Sequence, residues 1–193
     1  KSYVFFLLRV ILYVSQDKWD LAKVVFDKAI ELNFKSAKAY AYRGIVYLRQ
    51  QKWDLAKADI NKAIEFNPKL GEAYFVRGVY YSTQQKIDLA LADINEAIEL
   101  NPKLYQAYQL RGTLYLSQDK LDLAKSDLDK AIEFNSNFAQ AYAYRGIVYL
   151  RQQKLDLAKA DINKAIELNP KLGEAYFARG LYHIIQQKLD LAK

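Results

Sequence analysis

The sequence predicts an all-α fold, a solenoid of stacked helix-turn-helix repeats, from two observations. The stretch AYAYRGIVYLRQQK occurs at residues 39–52 and again at 141–154, and this separation of 102 residues is three times a shorter period of 34. Two segments of each period also carry apolar residues at three- and four-residue spacing, which is typical of amphipathic helices. Because one helix pair buries little apolar surface alone, we expect neighbouring pairs to stack.

The period is marked by the same side chains in each repeat. An arginine lies three residues after an aromatic residue, at Arg9, Arg43, Arg77, Arg111, Arg145 and Arg179. A Lys-x-Asp-Leu-Ala string follows, and its alanines are Ala22, Ala56, Ala90, Ala124, Ala158 and Ala192. The repeats are therefore residues 3–36, 37–70, 71–104, 105–138 and 139–172, with a partial sixth repeat at 173–193, in a single array over 1–193. Since position 1 is not methionine, we expect the array to be a fragment of a longer protein.

The second repeat illustrates the elements in order. A first helix is predicted over residues 39–50 and a second over 54–66, where apolar residues return with the helical period. Small residues such as Ala63 lie opposite large ones such as Tyr40, so that the two helices approach around a ring.

Polar residues mark the ends of the second helix. Asp54 and its equivalents lie where a carboxylate can cap free backbone amides and complement the helix dipole. At the other end, Asn67 and Pro68 stop the helix and turn the chain.

The pattern resembles the tetratricopeptide repeat family, whose 34-residue unit carries a Gly, a Tyr, two Ala and a late Pro at fixed spacing. Gly44, Tyr47, Ala56, Ala63 and Pro68 match it in order, and the match recurs along nearly the whole chain. The recurring arginine replaces the leucine that is common before the glycine.

The resemblance also shows departures. The first repeat has Val10 for the glycine, and Phe34 and Ser136 stand where proline is expected. The turn between helices, where glycine is usual, has Asp17, Gln51, Gln85, Asp119, Gln153 and Gln187. If these residues adopt positive φ, each costs about 1 kcal/mol relative to glycine.

We therefore expect eleven helices in a right-handed superhelix. Five pairs come from the complete repeats, and one further first helix runs from Ala175 to about Gln186. Residues 188–193 at most start its partner helix.

Composition excludes several classes of protein. There is no cysteine, so disulfides and thiolate metal sites are absent, and the net charge of +7 comes from interspersed residues rather than a basic stripe. The apolar run at residues 4–14 is too short to span a bilayer and contains Arg9. The compartment stays open, with the cytoplasm slightly favoured.

No motif indicates catalysis. There is no phosphate-binding loop, zinc-ligand spacing or nucleophile elbow, so we expect neither enzyme activity nor a cofactor or metal. The single histidine, His183, occupies a position that is tyrosine in the other repeats, and we interpret it as an aromatic substitute. The tyrosines themselves are interpreted first as repeat packing.

The recurring arginine needs a partner because it lies on a packing face. Aspartates recur sixteen residues after it, at Asp59, Asp93, Asp127 and Asp161. We expect ion pairs, and the sequence leaves open whether the acid belongs to the same repeat or to the preceding one. The first repeat has Val25 instead of the acid.

Function is predicted on the concave surface, which the first helices line in such superhelices. The candidate groove is mostly apolar with two arginines, and roughly half of its members are expected only to pack on neighbouring helices. Its residues are Ala41, Ile45, Arg49, Phe75, Val79, Gln109, Thr113, Ile147, Arg151, Phe177 and Leu181.

Chaperone-binding members of the family clamp a C-terminal carboxylate with Lys, Asn and Arg side chains of three first helices. The resemblance places Ala41, Ile45, Val76, Gln106 and Leu110 at those positions, and none matches. A chaperone C-terminal carboxylate bound through this clamp is therefore not expected.

Two functional classes remain. The first is a non-catalytic scaffold that binds a peptide or helix of a partner protein, whose identity the sequence does not give. The alternative is an RNA- or other polyanion-binding superhelix, supported only by charge and aromatic content, so nucleic acid is the less favoured partner. We also expect self-association through the uncapped ends, namely the apolar first helix and the incomplete sixth repeat.

Overall fold

The computed structural model describes residues 18–191, and these form ten α-helices and no β-strand. The helices are α1 (Trp19–Leu32), α2 (Ala37–Arg49), α3 (Trp53–Phe66), α4 (Gly71–Thr83), α5 (Ile87–Leu100), α6 (Tyr105–Ser117), α7 (Leu121–Phe134), α8 (Ala139–Arg151), α9 (Leu155–Leu168) and α10 (Gly173–Leu191). The predicted all-α solenoid of helix pairs is confirmed. The predicted helix before α1 and the turn at Asp17 lie outside the described residues.

The chain divides into two compact units, Lys1–Pro102 and Lys103–Lys193. In the first unit α2 packs along α3 and α4 along α5, while α1 contacts α2, α3 contacts α4, and α2 contacts α4. Tyr40 packs in one cluster with Ala63, and Tyr47 packs in another with Ala56. The predicted pairing of tyrosine rings with small residues is thus what brings α2 and α3 together.

The second unit repeats this packing. The pairs are α6 with α7 and α8 with α9, and α10 lies against both α8 and α9. Ala158 and Ile162 of α9 share a cluster with Ala178 of α10, so each second helix packs between two first helices.

Glycine permits the closest approach within a pair. A Cβ atom built at Gly112 would lie 3.0 Å from Cγ of Leu128 and 3.2 Å from the carbonyl oxygen of Ala124. At Gly180, the same repeat position on α10, a Cβ atom would meet nothing within 4 Å. The position therefore requires glycine only where a second helix covers it.

The turn inside each described helix pair has a left-handed residue at the position where the family usually has glycine. φ is 56° at Gln51, 57° at Gln85, 57° at Asp119 and 58° at Gln153. The Lys52 amide donates to the Tyr47 carbonyl at 2.9 Å and the Gln51 amide donates to the Leu48 carbonyl at 3.1 Å, which is a Schellman ending. The left-handed residue closes the first helix and directs the chain into the second.

Glycine at these four turns is expected to stabilise the protein. A side chain at positive φ costs about 1 kcal/mol relative to glycine, so the substitutions Gln51→Gly, Gln85→Gly, Asp119→Gly and Gln153→Gly together should add roughly 2–4 kcal/mol. Urea unfolding followed by circular dichroism measures the change. Gln50→Gly, one residue earlier with φ of −83°, is the control and should destabilise. A quadruple variant no more stable than the parent would contradict the assigned strain.

The ends of the second helices differ partly from the prediction. The residue before α3 is Lys52, whose side chain makes no capping hydrogen bond, and Asp54 is the second residue inside the helix. The capping role predicted for this aspartate is therefore wrong, because the helix begins one residue earlier, while its place in the first turn still suits the helix dipole. At the other end the Asn67 side chain accepts the Lys69 amide at 3.1 Å, which stabilises the turn.

The sixth repeat departs from the predicted boundary. α10 runs without interruption from Gly173 to Leu191, so Gln187 is helical and the expected end near Gln186 is wrong. The sequence QQKLDL at residues 186–191 is identical to residues 152–157, which form the turn at Gln153. Local sequence alone therefore does not set the turn. In the fifth repeat the turn is accompanied by packing of α9 on α8, and the described residues contain no helix that packs in this way on α10.

Candidate interaction surface

An arginine-aspartate pair joins the two helices of every complete repeat from the second to the fifth. The arginine Nε donates to one carboxylate oxygen at 2.6 to 2.7 Å, and Nη2 donates to the other at 2.8 to 2.9 Å. The pairs are Arg43 with Asp59, Arg77 with Asp93, Arg111 with Asp127, and Arg145 with Asp161. The predicted ion pairs are confirmed, and the acid belongs to the same repeat. Arg9 lies outside the described residues.

These ion pairs are buried between the helices and have a structural role. The four aspartates are only 5 to 7% exposed. The hydrogen bond to Asp59 raises the pKa of Arg43 above its ordinary value, and the hydrogen bond to Asp93 does the same for Arg77. Burial alone would lower the pKa of Arg145, but its two aspartate partners raise it. The bidentate geometry fixes each arginine against its own second helix.

A second acid completes two of these sites, and the sequence analysis missed it. Nη1 of Arg43 donates to Asp27 of the preceding repeat at 2.7 Å, and Nη1 of Arg145 donates to Asp129 at 2.6 Å. The available signal was an aspartate two positions after the recurring one. Only the first and fourth repeats carry it, whereas the others have asparagine there.

Asp27 links the first repeat to the second through two cations. Its carboxylate accepts Lys23 Nζ at 2.6 Å as well as Arg43. Burial raises the pKa of Asp27, but the hydrogen bonds from Lys23 and Arg43 lower it by more than burial raises it. The net pKa is therefore below the ordinary value of 3.8. The stability that Asp27 contributes is therefore present above that ordinary pKa and is lost as the pH falls through the lower folded value.

In the first unit the predicted groove residues lie on α2 and α4. Ile45, Phe75 and Val79 are half-buried and pack on one core cluster, while Arg49 is exposed and stacks on the Trp19 ring at 5.6 Å. Ala41 is fully buried, so it belongs to the core and offers no surface to a ligand.

In the second unit the predicted residues on α6 and α8 offer little apolar surface. Gln109 and Thr113 are half-buried, and the Thr113 hydroxyl donates to the Leu110 carbonyl at 2.7 Å. Ile147 is buried at 9% exposure, and the exposed Arg151 lies 3.3 Å from Asp119.

α10 carries a row of exposed apolar side chains in the second unit. Phe177 is 63% exposed and Ile184 is 52% exposed, with the half-buried Leu181 between them. Their spacing of four and three residues places them on one face of the helix. We call Phe177, Leu181 and Ile184 the α10 stripe.

The part of the chain that the structure describes shows neither a metal-binding cluster nor a membrane-spanning helix. His183 is exposed and meets the Tyr182 ring edge-on, with 5.4 Å between ring centroids. Within residues 18–191 no group of three His, Cys, Asp or Glu side chains is placed to hold a metal ion. Nor does any helix in that range have the length and apolar character needed to cross a membrane.

Comparison with protein families gives four matches. Models described as tetratricopeptide repeat match residues 37–70 and 139–172 in one version and 71–104 and 105–138 in another, which together make well over half of the chain. No curated protein sequence matches.

Solved structures give similar folds. YrrB, described as a TPR protein with an unusual peptide-binding site, is 26% identical over 89% of this chain and 88% of its own, with a TM-score of 0.59. The first TPR of Spaghetti (RPAP3), bound to the HSP90 peptide SRMEEVD, is 27% identical over 63% of this chain and 94% of its own, with a TM-score of 0.57. The TPR protein TTC0263 from Thermus thermophilus is 20% identical over 92% and 95% of the two chains, and its TM-score of 0.74 shows a shared fold.

Proposed function

Because the chain belongs to the tetratricopeptide repeat family, a family of protein-interaction scaffolds, we propose that it binds a peptide or helix of a partner protein on its first helices. The observation that carries this proposal is the α10 stripe. Exposed apolar side chains on one helix face suit a partner that buries its own apolar side chains. The peptide-binding descriptions of YrrB and of the RPAP3 repeat, both above 25% identity, support the same mode.

The chemistry of the first helices favours an apolar partner over a polyanion. Each of the four recurring arginines uses two of its nitrogens on a buried aspartate of its own repeat, so these arginines do not form an unpaired basic surface for a polyanion. The clamp positions Ala41, Val76 and Gln106 carry no cation, so the ligand is not expected to be held by a terminal carboxylate there.

A peptide-display selection against residues 1–193 tests the proposal. We expect the selected peptides to carry aromatic or aliphatic anchors, and Phe177→Glu to weaken their binding by about tenfold or more, because a carboxylate would be buried against the anchor. Leu157→Glu is the matched control, because Leu157 is 50% exposed but lies on a second helix. Isothermal titration gives both affinities.

Salt dependence separates the two functional classes. Apolar peptide binding should change little between about 50 and 200 mM salt, whereas a polyanion contacting several cations would lose orders of magnitude in affinity. Equal loss of binding in Phe177→Glu and Leu157→Glu, or steep salt dependence with an RNA probe, would overturn the peptide proposal.

Self-association remains a prediction. On α10, Tyr176 is 40% exposed and the space beside Gly180 is open, while the apolar segment at residues 4–14 lies outside the described residues. We expect light scattering to detect dimers of residues 1–193 at tens of micromolar, and Gly180→Arg to reduce them if this face takes part. A monomer at that concentration would contradict the expectation.

A further inference from the structure

One cleft of the first unit lacks a carboxylate that two of its repeat equivalents possess. At the equivalent place one repeat earlier, the Asp27 carboxylate lies between two cations, with Lys23 Nζ at 2.6 Å and Arg43 Nη1 at 2.7 Å. The fourth and fifth repeats contain the same arrangement, in which Asp129 accepts both Lys125 and Arg145 at 2.6 Å. The fold thus builds a carboxylate site between a second helix and the next first helix.

Between α3 and α4 both cations are present but the acid is not. Asn61 stands at the position of Asp27, with Lys57 and Arg77 at the positions of Lys23 and Arg43. Arg77 uses Nε and Nη2 on Asp93 with the same geometry that Arg43 uses on Asp59, at 2.7 and 2.8 Å. Its remaining nitrogen, Nη1, is therefore oriented as in Arg43.

A small cleft of ≈ 20 Å³ lies at this place, and no acidic side chain lines it. Its walls are Lys57, Ile60, Asn61, Arg77, Tyr80 and Tyr81. Two cations, one amide and two phenols supply donors, and room of this size accepts a single small group, since a water needs about 10–15 Å³. Within residues 18–191 neither Lys57 nor Nη1 of Arg77 has a hydrogen-bonding partner.

We propose that this cleft, the Asn61 cleft, binds a carboxylate group in the position that the Asp27 carboxylate occupies one repeat earlier. A carboxylate presents two acceptor oxygens to Lys57 and Arg77, as Asp27 does to their equivalents. Phosphate is less suited because it is bulkier than the group that the fold accommodates in the neighbouring site. Lys57 and Asn61 are exposed, so water competes and binding is weak, in the millimolar range.

The carboxylate has two chemical sources, a free small acid or an acidic side chain of a partner. The Asn61 cleft lies on the side of α4 that faces away from Phe75 and Val79, since residues 77 and 81 are about half a turn from them. It is therefore independent of the proposed peptide surface. A partner could use both faces, but either can fail without the other.

The test is a titration followed by NMR on the arginine Nε–Hε signals, with sodium acetate against a matched sodium chloride series. We expect the Arg77 signal to shift and saturate with acetate, while the Arg43 signal stays fixed because Asp27 already fills its site. Acetyl-Gly-Glu-Gly-amide, compared with its Gln counterpart, distinguishes the sources: tighter binding than acetate indicates a partner side chain, and equal or weaker binding indicates a free acid.

Two variants that exchange aspartate and asparagine at equivalent repeat positions provide the controls. Asn61→Asp places the acid inside the cleft and should weaken acetate binding at Arg77 by about tenfold or more. Asp27→Asn should make the Arg43 signal respond to acetate, and asparagine is already accommodated at this repeat position in Asn61 and Asn163. Circular dichroism melting verifies that both variants fold. Any of three results would overturn the proposal: an Arg77 signal that does not shift with acetate, one that shifts equally in Asn61→Asp, or one that chloride shifts to the same extent as acetate.

Discussion

Arg145→Leu is expected to destabilise the protein by about 3–5 kcal/mol, the largest loss that a single substitution should cause here. The variant leaves the Asp161 carboxylate, 7% exposed, without its bidentate partner, and it also removes one of the two cations on Asp129. A buried carboxylate that loses its cation also loses the charge-assisted hydrogen bonds that offset its desolvation, and the folded state is destabilised by that uncompensated cost.

The measurement is urea unfolding at neutral pH, and the chain offers a matched control. Arg179 has the same repeat position on α10, but its side chain is exposed and stacks on the Tyr176 ring, with Cζ 4.6 Å from the ring centroid. Arg179→Leu should change stability by no more than about 0.5 kcal/mol. The double variant Arg145→Leu with Asp161→Leu should recover much of the loss, because no buried charge is left unpaired. Equal effects at Arg145 and Arg179 would contradict the structural role of the pair.

Gly112→Ala should cost about 1–3 kcal/mol even though alanine is the better helix former. The added methyl group would lie 3.0 Å from Leu128 and 3.2 Å from a backbone oxygen of α7, so two helices must move apart to admit it. Gly180→Ala, where the same methyl group meets nothing within 4 Å, should instead stabilise by up to about 1 kcal/mol.

The two alanine substitutions are expected to change the free energy of unfolding in opposite directions, which makes the comparison decisive. Both glycines lie inside first helices at the same repeat position, so helix propensity contributes equally and only the packing differs. Thermal unfolding of the two variants beside the parent protein measures it. If Gly112→Ala were as stable as Gly180→Ala, the contact with the second helix would not be what requires glycine.

The helix pairs and their internal contacts were predictable because the same side chains recur every 34 residues. A spacing that recurs in several repeats does not arise by chance. The pairing of Arg43 with an aspartate followed from its place on a packing face. Whether the acid came from the same or the preceding repeat did not follow, since both bring helix middles together, and only the side-chain geometry distinguishes Asp59 from Asp27.

The end of α10 and the surface residues were less predictable for a physical reason. Residues 186–191 have the sequence of a turn that forms at Gln153, so the conformation depends on tertiary packing and not on local preference. Burial along a first helix depends on its neighbours in the same way. Ala41 and Ile147 have the spacing of surface residues but lie in the core, whereas Phe177 is open.

The placement of the aspartates bears on how the gene grew. In the second to fifth repeats each arginine finds its bidentate acid inside its own repeat, so copying any one of these repeats whole strands no buried charge of this kind. The extra contacts from Asp27 and Asp129 are 102 residues apart, as are their cations Arg43 and Arg145. Copying three repeats as one block carries such a contact along intact, whereas copying the second repeat alone would separate Arg43 from Asp27. The unit of inheritance is therefore the triplet, and the long identical stretches at residues 39–52 and 141–154 are its trace.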